Sequence, residues 1–408
     1  MIQCARFKNK CFFITDTEEQ IMNIAILGFG TIGGGVYEIV NKRKSTNLMD
    51  CQVVKILDLP KNKDKLDIIV CDIKDISEDP TIDVVVETMG GIHPAYDFIM
   101  ECLNHKKHVV TANKAVVAAH MEDFLRVAKE NNVEFRFEAS TGGGIPWLAS
   151  IQKARRIDKI TSFYGIFNGT TNYILDSMNT QNKGFNEALQ AAQKLGYAEA
   201  NPSADIDGYD VQNKVVISSA LSFDAKVNMK DFPCFSMATI TYDDIQYVKS
   251  KGMMIKYIGE ATVEDEGYEA FVMPNVIPMT SLEANIPSNF NIVTLFGATI
   301  GELKFYGQGA GKLPTANAIV EDILDIKEGI SYGKVNLDTV IPYNDSLLKH
   351  QYLIRTNKKY DNRMVAHVDS VGANFYITTK PITTKDFMGF ANVVMEENAQ
   401  AMIAKYKD

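Results

Sequence analysis

Apolar residues follow one rhythm up to about residue 150 and another beyond it. Met22-Asn23-Ile24-Ala25-Ile26-Leu27-Gly28 is a short run with no polar face, the pattern of a strand buried on both sides. Val53 to Asp58, Asp83 to Thr88, Lys107 to Thr111 and Val133 to Ala139 repeat it, and helical patterns at 94–105 and 115–130 fall between them. Strands alternating with helices predict an α/β domain built on a parallel sheet. After Ile160 the order changes. Ile160 to Phe167 reads as a strand, Asn168-Gly169-Thr170-Thr171-Asn172 caps a helix, and Phe185 to Leu195 is another helix. Residues 251–306 are strand-rich and punctuated by Gly259, Gly267, Pro274, Pro278, Pro287, Gly297 and Gly301, which predicts an antiparallel or mixed sheet. Gly307 to Ala316 opens a helix ending near Asp325, placed to return the chain to its first domain. Beyond 340, Tyr352–Arg355 and Asn374–Thr379 read as strands and 384–406 as a helix, a small α+β appendage.

Composition narrows the class without naming a chemistry. A chain of 408 residues, 46% hydrophobic and 23% charged, has the make-up of a soluble globular protein with two or three domains. A net charge of -9, with no long like-charge run, argues against nucleic acid as a partner. No apolar run is long enough for a membrane span, and 1–21 lacks a signal-peptide pattern. That leading stretch is expected to be an appended strand or an extension, with no assigned function. Six cysteines without CxxC spacing read as reduced thiols of a cytoplasmic protein.

Two stretches carry candidate chemistry. Gly28-Phe29-Gly30-Thr31-Ile32-Gly33 is GxGxxG between a strand and a helix, which favours dinucleotide binding over a merely tight turn. Asp58 ends the second strand, where an acid can hold a ribose diol or simply start the turn before Pro60. Thr88, Gly90 and Lys114 stand at the carboxyl ends of strands and so converge on one crevice. The other stretch is Leu195 to Lys214, an acidic loop that Pro202 keeps from being helical, opening a helix at about Asp205 to Asp207. Asp210 and Lys214 are four residues apart and share a helix face. This is either an ordinary surface ion pair or a lysine held to deliver a proton to an oxygen, in a loop that can hold a substrate's ammonium.

In chain order, GFGTIG (28–33), ETMGG (87–91), HVVTANKA (108–115), EASTGGGIP (138–146), GIFNGTTNYIL (165–175), LGYAEANPSADIDGYDVQNK (195–214) and GQGAGKLPTA (307–316) resemble the homoserine dehydrogenase family over about residues 22–335. The resemblance implies a Rossmann-like cofactor domain at 22–155, completed by 307–335, and a catalytic and dimerisation domain at 156–306. It implies NAD(P)-dependent interconversion of L-homoserine and L-aspartate 4-semialdehyde by a homodimer or a dimer of dimers. By resemblance, Lys214 is the leading acid/base and Asp210 its orienting partner, with Lys114 a competitor, a stabiliser of the same oxygen, or a cofactor contact. Glu199 and Asp205 would grip the substrate ammonium, with Gly196, Tyr197 and Thr171 around the substrate. The fingerprint residues Gly28 to Gly33, Asp58, Thr88, Gly90, Gly307, Gly311 and Thr315 would line the cofactor. A sodium ion on the backbone carbonyls of Glu138, Thr141, Gly143 and Ile145 is also implied.

Two departures stand out. Family members often carry an arginine before the aspartate at the second strand's end, suited to a 2′-phosphate. Leu57 is there instead, so charge favours NAD over NADP, although Lys61 and Lys63 can replace the lost cation. Residues 345–408 resemble a shortened ACT domain, because Asn357 to Asn362 replaces the usual D-x-P-G turn and little helix follows; binding of an effector such as threonine is therefore open. Two other readings compete with this one. An aldehyde dehydrogenase working through a thioester needs a crevice cysteine, and none of the six falls in a crevice motif. A catalytically silent nucleotide-binding regulator of the same fold would lose Lys214 or Asp210, and both are present.

Overall fold

Short runs of β-branched residues with no polar side suit strands covered on both faces, and the first domain is built from them. In a computed structural model, which describes residues 3–7, 10–14, 21–42, 46–331 and 335–407, six parallel strands form one sheet. Across the sheet they run Ile69–Val70, Cys51–Leu57, Met22–Leu27, Val84–Glu87, His108–Thr111 and Phe135–Arg136. By chain order this is 3-2-1-4-5-6, the doubly wound arrangement, whose ligand crevice opens where the order reverses, between the first and fourth strands. The fingerprint turn and the Thr88–Gly91 turn therefore flank that crevice. Ile24, Ile26, Val84, Val86 and Val110 pack one face, and Ala25, Leu27, Val85 and Val109 the other. The late helix Lys312–Glu328 lies against the helix Thr31–Lys42; a Cβ on Gly35 would come within 2.8 Å of the Lys312 carbonyl oxygen.

Most of the chain beyond this domain is built on a nine-stranded mixed sheet, with Lys349–His350 and Ile382–Thr383 paired separately. The strands of the large sheet lie in the order Gly301–Gln308, Phe290–Gly297, Ile160–Ile166, Met253–Glu264, Gly267–Pro278, Met402–Tyr406, Tyr352–Thr356, Asn374–Thr379 and Val365–Val371. All neighbours are antiparallel except Gly267–Pro278 and Met402–Tyr406. The helix Tyr209–Phe223 lies on this sheet with nearly every side chain buried, Asp210, Gln212 and Lys214 included, so these polar groups find their partners inside the protein. Gly259 makes room for the helix: a Cβ there would sit 2.7 Å from both Val211 and Val215.

Several elements depart from the sequence reading. The expected helix over 384–406 stops at Glu397; Asn398 leaves the helical backbone at φ -145°, ψ 89°, and Met402–Tyr406 becomes a buried strand. Its apolar Met-Ile-Ala core suits either state, and two open strand edges decide it. The helix after the acidic loop starts at Tyr209, not Asp205 to Asp207, because Gly208 sits at φ 89° and separates it from a single turn at Ser203–Ile206. Only Phe135–Arg136 of 133–139 is strand, since Glu138–Ser140 coils into a 3-10 turn. The helix Tyr242–Ser250 was not anticipated, although Thr241 and Asp244 form a capping box at its start. Of the leading stretch, Gln3–Phe7 and Lys10–Ile14 pair as an antiparallel hairpin; residues 1–2, 8–9 and 15–20 lie outside the described ones. Among the described residues no helix is long and apolar enough to cross a membrane.

Candidate active site

At the end of the strand Ile160–Ile166 the chain turns through Phe167 and Asn168 into the helix Gly169–Gln181. Asn168 is its N-cap: the side-chain oxygen accepts the Thr171 N–H at 2.8 Å. The amide nitrogen of the same side chain donates to Asp205 Oδ1 at 2.7 Å and to Asp210 Oδ2 at 2.8 Å. Asp210 lies in the first turn of the buried helix and Lys214 one turn later, so the sequence spacing does bring them together, at 2.7 Å. Lys214 Nζ also donates to the Phe167 carbonyl at 2.7 Å. From the other domain, Lys114 starts the helix Lys114–Asn131 and its Nζ meets Asp210 Oδ1 at 2.8 Å. Asp210 thus holds two ammonium groups, one on each oxygen. Lys214 has a third donor left to face a ligand.

The electrostatics follow from burial and pairing. Burial opposes the charge on Asp210, but Lys114, Lys214 and the Asn168 amide hold its carboxyl well below the usual carboxylate range. For Lys114, which is partly exposed, Asp210 is the largest influence and raises its pKa. Lys214 is buried, and desolvation lowers its pKa even against the pull of Asp210. Burial, then the neighbouring Asp210, raises Asp205. The surface-pair reading of Asp210 and Lys214 is therefore set aside.

The other candidates fall into place around this centre. Thr171 is fully buried with its hydroxyl on the Asn168 carbonyl, and Thr170 donates to the Tyr197 carbonyl at 2.5 Å. Tyr197 stacks edge-on against Tyr173, while Gly196 and Glu199 are exposed on the loop. Asp205 is partly buried beside Asn168.

The dinucleotide crevice is made mainly of backbone. A Cβ on Gly33 would lie 2.1 Å from the Gly28 carbonyl oxygen, so only glycine lets the helix start this close to the strand. A Cβ on Gly30 would meet nothing within 4 Å, which leaves an open approach to the free N–H groups of the helix Thr31–Lys42. Beside it lies a cleft of about 540 Å³ lined by Phe29, Thr31, Tyr37, Lys65 and Lys312. Ile32 packs partly buried against the sheet. These features fit a pyrophosphate. Thr88 turns inward, donating to the carbonyls of Leu27 and Gly28 at 3.1 and 2.9 Å. Asp58 accepts from the Leu59 N–H and from Asn62, so both of its oxygens are engaged within its own turn. Gly90 sits at φ 79° in a turn held by the buried Glu87, which accepts the Met89 and Gly90 N–H groups and the Thr111 hydroxyl. Asn113 donates to the Gly91 carbonyl at 2.6 Å and draws that turn towards Lys114. Sequence reasoning gave no role to Glu87, Asn113 or the Asn168 amide. A polar residue inside an apolar or capping motif was the available signal.

Gly143 packs on the second glycine loop: a Cβ there would lie 2.5 Å from the Gly309 carbonyl. Gly307 abuts Ile145, and Gly311 caps the helix that carries the buried Thr315. The Glu138 carboxyl accepts the N–H groups of Leu148 and Ala149, and Thr141 is fully buried with a hydroxyl that has no partner. Among the described residues, no cluster of three or more His, Cys, Asp or Glu suits a metal. Burial pushes the thiols of Cys102 and Cys234 up to about 12, far from a thiolate nucleophile.

Comparison with known proteins converges on one group. The family model for homoserine dehydrogenase matches residues 146–324, and that for the homoserine dehydrogenase NAD binding domain matches residues 28–138. The homoserine dehydrogenase of Bacillus subtilis (strain 168) is 34% identical over 337 residues, covering 80% of this chain and 78% of the relative. That of Synechocystis sp. is 38% identical over 316 residues, covering 75% and 73%. A crystal structure of a homoserine dehydrogenase from Thiobacillus denitrificans superposes with a TM-score of 0.85 at 28% identity, covering 95% of this chain and 98% of that one. With a doubly wound nucleotide sheet and a paired-lysine centre beside it, the chain belongs to the homoserine dehydrogenases, an oxidoreductase family.

Proposed function

We propose that this chain interconverts L-aspartate 4-semialdehyde and L-homoserine with Lys214 as the acid/base, and the observation that carries the reading is Asp210 paired to Lys214 and Lys114 at once. A bound nicotinamide dinucleotide supplies or accepts the hydride. As the aldehyde carbon is reduced, its oxygen gains negative charge and then a proton. Lys214 gives that proton, and its desolvated ammonium, lowered in pKa, parts with it more readily than a lysine in water. Lys114 adds a second positive charge near the developing alkoxide. Asp210 keeps both ammonium groups aimed at the same side. Asp205 and Glu199 receive the substrate ammonium from the loop.

Leu57 before Asp58 supports NAD, with Lys61 and Lys63 as the cations that would favour NADP. Sodium on the carbonyls of Glu138, Thr141, Gly143 and Ile145 would hold the Gly142–Gly144 turn; the unpartnered Thr141 hydroxyl supports a polar occupant nearby. The last four strands and the single helix Thr384–Glu397 support a shortened ACT-like unit. A cytoplasmic homodimer or dimer of dimers rests on the family resemblance. The test is a steady-state assay of the purified chain with L-homoserine and each dinucleotide, with and without threonine. Homoserine-dependent reduction of a dinucleotide is expected, and its absence with both would overturn the reading.

A further inference from the structure

We propose that Asn168 is a positioning residue that couples substrate binding to proton transfer, its single amide nitrogen hydrogen-bonding the ammonium-binding Asp205 and the lysine-binding Asp210 together. This rests on the active-site reading above and deepens it.

The amide has no freedom to turn over. Its oxygen is fixed by the Thr171 N–H at 2.8 Å, and its nitrogen faces two carboxylates at 2.7 and 2.8 Å. A flipped amide would set its oxygen against both anions. Asn168 is buried, so solvent does not take over these bonds. Asp205 faces Asp210 and Lys214 from the catalytic helix and Thr170 from the helix that Asn168 caps; Lys114 feels Asp205 and Glu199 from across the domain boundary. Two carboxylates this close raise each other's affinity for a proton. The two N–H donors of Asn168 favour the ionised form of each, which keeps one charge for the lysines and another for the substrate. When a substrate ammonium settles on Asp205, that carboxylate draws less on the shared amide, and Asp210 next to Lys214 responds through it.

An N-cap role alone predicts something different, and this allows a clean test. Aspartate caps helices as well as asparagine does, so N168D keeps the helix start but replaces two donors with an anion. The acid limb of homoserine binding, read as its Kd against pH in the dead-end complex with NADH, follows Asp205, which must be charged to hold the ammonium; the acid limb of kcat/KM reports Lys214, which must be neutral to take the proton. A third carboxylate raises the pKa of Asp205, so the binding limb moves to higher pH. We expect a shift of ~1 unit or more, hence homoserine binding weaker on the order of 10-fold on the acid side of the profile, recovery towards neutral pH, and unchanged binding of NADH followed by nicotinamide fluorescence. N168S, which also caps but lacks the amide donors, should move the same quantities in the same direction by less, and carries the test should N168D not fold. A wild-type pH profile and Kd for homoserine in the folded variants would overturn the inference. So would a uniform fall in kcat with the limb unmoved. Lys214→Ala separates this from the parent reading: if that variant is inactive while N168D is unchanged, only the coupling fails.

Discussion

The two halves of the site are made from different materials. The dinucleotide crevice is backbone: Gly33 is there because a Cβ would strike the Gly28 carbonyl, and Gly30 because the approach must stay open. The proton-transfer centre is side chain: Asp210, Lys214, Lys114, Asn168 and Asp205 come from four segments and are tied by charge-assisted bonds of 2.7–2.8 Å. A site of shape fails when volume is added. A site of charge fails when one member is lost and its partners remain. The two should therefore break in opposite ways under mutation.

The largest effect is expected at Lys214. Replacing it with alanine removes the acid/base and should lower kcat on the order of 10²–10⁴-fold, while NADH fluorescence titration gives a near-normal Kd. A variant that still oxidises homoserine at a comparable rate would remove Lys214 from the mechanism. Gly33→Ala should do the reverse. Its methyl group meets backbone at 2.1 Å, so dinucleotide Kd should weaken on the order of 10-fold and stability fall by ~1–3 kcal/mol, read by titration and thermal melting. A normal Kd with normal Tm would show that the crevice is less tightly shaped than it looks. The smallest effect is expected at Asp58. Because its oxygens are engaged by Leu59 and Asn62, Asp58→Ser should change the NAD-to-NADP ratio of kcat/KM only a few-fold, on the order of 1 kcal/mol. A change of a hundredfold would mean that Asp58 leaves its turn to hold the ribose.

The same contrast explains what the sequence made visible. Glycine spacing between a strand and a helix reports backbone geometry directly, so the fingerprint, the crevice and the sheet class were readable from Gly28 to Gly33 and the apolar runs around them. The Asp210–Lys214 pair was readable because both lie on one helix, four residues apart. Lys114 on Asp210 was not readable as geometry, because the contact crosses two domains and spans almost a hundred residues of chain. Nor was the Asn168 amide: NGTTN announces a cap, and nothing in its neighbours shows that the nitrogen side meets two carboxylates. Met402–Tyr406 was misread as helix because its partners on both sides are distant strands, and local pattern cannot weigh a sheet that closes from elsewhere.

That strand has a consequence for how the chain is made. Gly267–Pro278 pairs with Met253–Glu264 on one flank and with Met402–Tyr406 on the other, and Arg355, from the neighbouring strand, clasps the buried Asp244 beside the central helices. On that second flank Val272 already bonds Pro233 and Phe235, which are made before it, so during synthesis on the ribosome only the Asn275–Val276 end waits for more than a hundred further residues before it is covered. A nascent chain halted before residue 402 should therefore expose only that short strand end, while the rest of the border is already bonded.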